Sequence, residues 1–135
     1  MIVGKLGKSP ILEFESSAFA PIPAEDEATY PGVFGQTLAS WLGNHLRRAG
    51  IAAGEVIAEG FGWVIPVKSE PYFLRVACSS GEELNAWMVF VFTEGGLMPR
   101  LLGKDKSGAA LESLYESVRR SLQSEPSVHG LREIV

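Results

Sequence analysis

Glu59-Gly60-Phe61-Gly62-Trp63-Val64-Ile65-Pro66-Val67 is a glycine-punctuated turn that runs directly into an apolar strand. In the strand, Trp63, Ile65 and Val67 fall on one side. Pro66 has no N–H to give to a ladder, so the strand must be at an edge there, or bulged. Ser69-Glu70-Pro71 then turns the chain. Residues 72–78 alternate again, with Tyr72, Leu74, Val76 and Cys78 on one face and Phe73, Arg75 and Ala77 on the other. Residues 79–83 have hairpin-turn composition, and residues 84–92 give the strongest strand signal in the chain. Three strands joined by short turns make an antiparallel meander.

Two helices flank this meander in the sequence. The first is expected from Pro31 or Gly32 to Ala49, with Thr29 or Tyr30 at the cap, because proline suits a first helical turn. Phe34, Leu38, Trp41, Leu42, His45 and Ala49 share one face of it, opposite Gln36, Ser40, Gly43 and Arg47. Gly50 is a stop signal, and Ile51 is placed to close a Schellman contact. The second helix is expected over residues 108–123, with a stripe of Leu111, Leu114, Tyr115, Val118 and Leu122. Before the first helix, Ile2 and Val3 suggest a short strand, and residues 11–15 alternate as a half-exposed strand. Pro21, Pro23 and the acidic run 25–27 read as an extended surface loop. Further short strands are expected at residues 55–58 and 128–135, and residues 97–102 are irregular. The order of elements implies a single α+β domain over residues 1–135: one antiparallel sheet with both helices on one face.

Bulk properties exclude several function classes. With 135 residues, 46% hydrophobic and 21% charged, the chain has the balance of a globular domain. A net charge of -4 disfavours a general nucleic-acid binder, which needs a basic footprint, and likewise a binder of anionic membranes. No apolar run is long enough to span a bilayer, and no signal peptide is evident. The single cysteine, Cys78, forms no internal disulfide, which fits a reducing compartment; a cytoplasmic location is expected.

A helix with a Trp-Leu pair and a terminal glycine, then an acidic-aromatic-Gly-Trp turn, then an apolar meander, is similar to a group of small bacterial domains of unknown function. The residues that carry the resemblance are Glu59, Phe61, Gly62 and Trp63, with Gly60 inserted between acid and aromatic. The tail resembles theirs too: a helix, Ser124-Glu125-Pro126, then a short strand. The resemblance implies a fold and brings no catalytic assignment. Some small bacterial domains of this build are immunity proteins, an analogy of architecture.

Side chains with chemical potential are sparse. His45 lies on the helical stripe and is the candidate acid/base, with a carboxylate such as Glu59 as its partner; a histidine held by core packing is the simpler account. No Cys, Asp or Glu stands three or four residues after it to complete a metal pair, and neither metal nor cofactor is expected. His129 reads as a solvated turn residue. Cys78 reads as a buried small apolar residue, since a nucleophilic thiol needs an electropositive, partly open setting. Glu13 with Glu15, and the acidic run at 25–27, read as solvated charge. Gly60 and Gly62 make no phosphate loop, and residues 103–108 read as a capped loop before a helix rather than an anion site.

The informative feature is the last meander strand. Trp87, Val89 and Val91 alternate with Met88, Phe90 and Phe92, so both its faces are apolar. Two amphipathic helices cover one face. The other either receives the segment Ala18-Phe19-Ala20-Pro21-Ile22 or meets a partner. A non-catalytic interaction domain, immunity-like or regulatory, is therefore expected. Its surface would comprise Glu59, Phe61, Trp63, Phe73, Arg75 and Trp87 and would meet a protein partner or a second copy. The alternatives are a small enzyme using His45 and a structural subunit that self-associates through the sheet.

Overall fold

The computed structural model describes residues 7–93 and 107–135. The expectations for residues 2–3 and 97–102, and most of the loop at 103–108, lie outside them. The elements in order are β1 (Ile11–Glu15), a single 3-10 turn (Glu25–Glu27), α1 (Gln36–Arg48), β2 (Ala52–Ala53), β3 (Ile57–Glu59), β4 (Gly62–Ser69), β5 (Tyr72–Ser80), β6 (Ala86–Thr93), α2 (Ser107–Gln123) and β7 (His129–Ile134). Among the described residues this is an α+β fold with one antiparallel seven-stranded sheet and two helices. The sheet order is β2-β4-β5-β6-β1-β7, and β3 shares with β2 the outer edge of β4.

The meander is β4-β5-β6, as the alternation requires. Its registers are Ile65↔Val76 and Val76↔Val91, so the inward residues of all three strands line up. Trp63, Ile65, Val67, Leu74, Val76, Cys78, Trp87, Val89 and Val91 join Leu12 and Phe14 of β1 in one buried cluster. Leu38, Leu42 and Leu46 of α1 and Leu111, Leu114, Tyr115, Val118 and Leu122 of α2 close it from above. Each such aliphatic side chain contributes roughly 1.5–3 kcal/mol on leaving water. Pro66 sits where β2 and β3 leave a gap along β4. Its carbonyl accepts from Gly54 N on the outer side (2.8 Å). The missing donor therefore also falls on the outer side, and the ladder to β5 is intact.

Several local expectations are corrected. Leu84 is not in β6 but is 88% exposed in the preceding loop, where Gly81 N donates to Ala86 O. Helix α1 starts at Gln36, later than the proline signal suggests. Residues before it are drawn out to tether β5: Phe34 N donates to Ser80 Oγ (3.0 Å) and Ser80 N to Phe34 O (2.8 Å). The cap comes from Glu25, ten residues upstream. Its carboxylate accepts from Gly35 N (3.2 Å), Gln36 N (2.9 Å) and Ile22 N (2.8 Å) and is almost wholly buried. So Glu25 is a structural group and not solvated charge: a carboxylate at a helix start satisfies donors that have no intrahelical partner. The inward stripe of α1 is also rotated, onto Leu38, Ala39, Leu42, Gly43 and Leu46. Gly43, at the edge of that stripe, is buried because Arg47 lies over it, reaching Ala53 O and Gly54 O (3.2 and 3.1 Å). At the far end the Schellman closure forms: Gly50 has φ +85° and Ile51 N donates to Leu46 O (3.0 Å).

One carbonyl oxygen sets the spacing at the other end of the molecule. A Cβ at Gly35 would come within 2.7 Å of Cys78 O, and one at Gly62 within 2.5 Å of the same atom. Both glycines have φ that L side chains rarely adopt, +152° and +156°. Helix start, hairpin turn and strand β5 therefore meet backbone to backbone.

Candidate functional site

The segment after β1 decides which sheet face is free. Phe19 is buried on the helix side, with its ring centroid 6.5 Å from Phe14, 5.3 Å from Trp41 and 6.4 Å from Trp87. Thr37 Oγ1 donates to Ala20 O (2.9 Å), which ties the same segment to α1. Residues 18–22 therefore seal the helix layer and do not cross to the opposite face.

That opposite face can be read as rows across the sheet. Ile57, Val64, Ala77 and Phe90 are successive partners across β3, β4, β5 and β6. Pro66, Arg75 and Phe92 form the next row, and Lys68 with Phe73 the one beyond. Ser79, Met88, Glu13 and Arg132 form a row on the other side. Phe73 is 57% exposed, Phe61 44%, and Ile57 and Ile134 41% each. Met88, Phe90 and Phe92 are half-buried.

The chain supplies part of the cover itself. Phe61 turns back so that its ring stands 6.5 Å from Phe92, which is 5.8 Å from Phe90. Lys8 Nζ lies 4.5 Å above the Phe90 ring, a cation–π contact. Arg75 Nη1 meets Glu59 Oε1 at 3.3 Å, bridging β5 to β3 across β4. Val64, between Gly62 and Pro66 on β4, is beneath that bridge and fully buried. The pair is partly open to solvent, so it is worth at most about 1 kcal/mol. At the β1–β7 end, Arg132 is held by Glu13 (3.3 Å) and Glu15 (3.0 Å). Those two acids are thus ion-paired and not merely solvated, and they raise the guanidinium pKa further.

The six residues singled out in the sequence divide into two groups. Glu59, Phe61, Phe73 and Arg75 lie together on the open face. Trp63 and Trp87 do not: they share the inward side of their strands with Ile65 and Val89, and only 8% of Trp63 is exposed. Trp87 Nε1 donates to Ser16 O (3.0 Å), whereas Trp63 Nε1 is buried without a hydrogen-bond partner. The period-two pattern puts the tryptophans on the same side as Ile65 and Val89, and that side is the helix-covered one, not the free face. Sequence reading did not single out Lys8, Ile57 or Tyr30, although Ile57 alternates onto the Glu59 face. Tyr30 is 66% exposed and lays its ring on Gly60, while its N–H donates to Gly60 O (2.7 Å).

His45 stands on α1 with its ring 5.3 Å from Trp41, and its Nδ1 is buried without a partner. Glu59 points away from it, on the far side of the sheet with Arg75. The structure does not bring this acid–base pair together. Cys78 is wholly buried, and burial pushes its thiol far above the usual range. Among the described residues no group of three metal-ligating side chains occurs, and no helix is long and apolar enough to cross a membrane.

No family model, curated protein or solved structure matches this chain. The face itself is therefore the ground for a functional reading.

Proposed function

We infer that this chain is a non-catalytic protein-interaction domain whose contact surface is the helix-free face of its sheet. The observation that carries the reading is the position of Phe19. Among the described residues, the segment expected over the free face is instead fixed among Phe14, Trp41 and Trp87 on the other side. Phe61, Phe73 and Ile57 then stay in water beside half-buried Phe90 and Phe92. Exposed aromatic groups bury large areas with little loss of rotamer freedom, which suits interface anchors. The Arg75–Glu59 pair supplies fixed polar groups within the apolar field. The free thiol of Cys78 fits a reducing compartment, and we place the domain in the cytoplasm on that ground.

Affinity capture from the native host tests the reading. Phe73→Glu should lose the captured protein while its melting curve stays that of the parent. Undiminished capture by both Phe73→Glu and Phe61→Glu would remove the face from consideration.

A further inference from the structure

We propose that the helix-free face is completed by the same face of a second copy, giving a four-layer dimer with two sheets stacked between outer helix layers. This rests on the interaction reading above and names the partner. Its first ground is electrostatic. Among the described residues the face carries four cations, Lys8, Lys68, Arg75 and Arg132, against four carboxylates, Glu13, Glu15, Glu59 and Glu70. Each carboxylate is in an ion pair with one of these cations. The face is thus neutral, whereas the chain as a whole has net charge -4. A partner of opposite charge would find little field to steer by here and more elsewhere on the surface. A copy of the chain meets neutral surface with neutral surface, while the acidic remainder of each molecule faces outward.

The second ground is size. Six strand positions lie across the sheet. At about 4.8 Å spacing and some 20 Å of strand length they offer roughly 600 Å² of plan area per copy. Two copies would bury about 1,200 Å², the lower limit for a specific interface. The dimer should therefore be concentration-dependent rather than obligate. Two such sheets would stack about 10 Å apart, with Phe73, Phe61 and Ile57 interdigitating as in a β-sandwich core. A two-fold axis makes each contact occur twice, so a single substitution is felt doubly.

The β7 end of the sheet argues against a competing route, edge-to-edge pairing of β7 with its copy. On β7 the register with β1 shifts between Glu13 and Glu15, beside Gly130 at φ +64°. Arg132 and Glu133 put opposite charges on its two faces. A bulge and charged residues are the devices that blunt a sheet edge.

Sedimentation equilibrium on the full chain over a roughly hundredfold concentration range tests the proposal. The mass should rise from one copy towards two. Phe73→Glu should raise the midpoint concentration by more than about tenfold, whereas Leu84→Glu, off the face, should move it less than about twofold. A parent chain that stays at one copy throughout overturns the dimer. So does a dimer indifferent to both Phe73→Glu and Phe61→Glu. If the parent is monomeric but Phe73→Glu still abolishes capture from the host, the interaction face stands and only the second copy falls. If capture is also indifferent, both readings fall.

Discussion

Glu25 shows how one side chain can hold a long irregular segment. Its carboxylate accepts three backbone donors from two separate stretches, at Ile22 and at Gly35–Gln36. Glu25→Gln keeps the shape but weakens every one of these charge-assisted bonds. We expect about 1–3 kcal/mol of lost stability, read from urea unfolding, and more for Glu25→Ala. Cys78 gives a second prediction at this scale. Burial raises its folded-state pKa, so the neutral thiol is the form the fold accepts. A raised folded pKa means the stabilisation is complete below the unfolded value and declines as pH climbs past it. The Cys78 contribution should therefore be level in pH up to about 8.5 and then fall at about 1.4 kcal/mol per unit. Cys78→Ala should remove that first alkaline loss. A second decline above about pH 10 should persist, because burial and the Glu133 hydrogen bond likewise raise Tyr115. Chemical denaturation of parent and Cys78→Ala between neutral pH and about pH 11 separates the two.

Among the elements, the strands were more legible than the helix ends. Period-two alternation located β4, β5 and β6 and their inward residues, because a strand with one buried face must repeat at two. The start of α1 was not legible. Proline at 31 is a valid local signal, yet tertiary bonds from Phe34 to Ser80 and from Gly35 to Glu25 override it. No local pattern announces a cap ten residues away. The two-residue strand β2 was likewise invisible, since Ala52–Ala53 has no alternation to detect. The hydrogen bond from Tyr115 on α2 to Glu133 on β7 was equally beyond reach, being a contact between distant elements. It ties the outermost strand to the helix layer. Tyr115→Phe should cost about 1 kcal/mol and speed amide exchange in β7 more than in β5.

For the whole molecule, the site was half legible. The expectation that one sheet face would lack helices followed from two apolar faces on β6 and two amphipathic helices. The face assignments of Trp63 and Trp87 failed because exposure depends on which side the helices choose, and alternation is symmetric between sides. The destination of residues 18–22 could not be read at all, for the same reason. Its outcome separates stability from recognition. Phe19→Ala should cost about 3–5 kcal/mol in denaturant unfolding, as a fully packed aromatic does. Phe73→Ala should stay within about 0.5 kcal/mol of the parent, as an exposed residue does.

The oxygen of Cys78 touches on what can be engineered. Helix α1 and the turn before β4 approach it from Gly35 and Gly62, each with no room for a methyl group. Anyone randomising residues 59–63 to probe the proposed surface would alter the open face at Glu59 and Phe61, through the Arg75 ion pair and the Phe92 ring contact. Position 62 belongs to the chassis instead. Any library that varies it would discard most members before recognition is ever sampled.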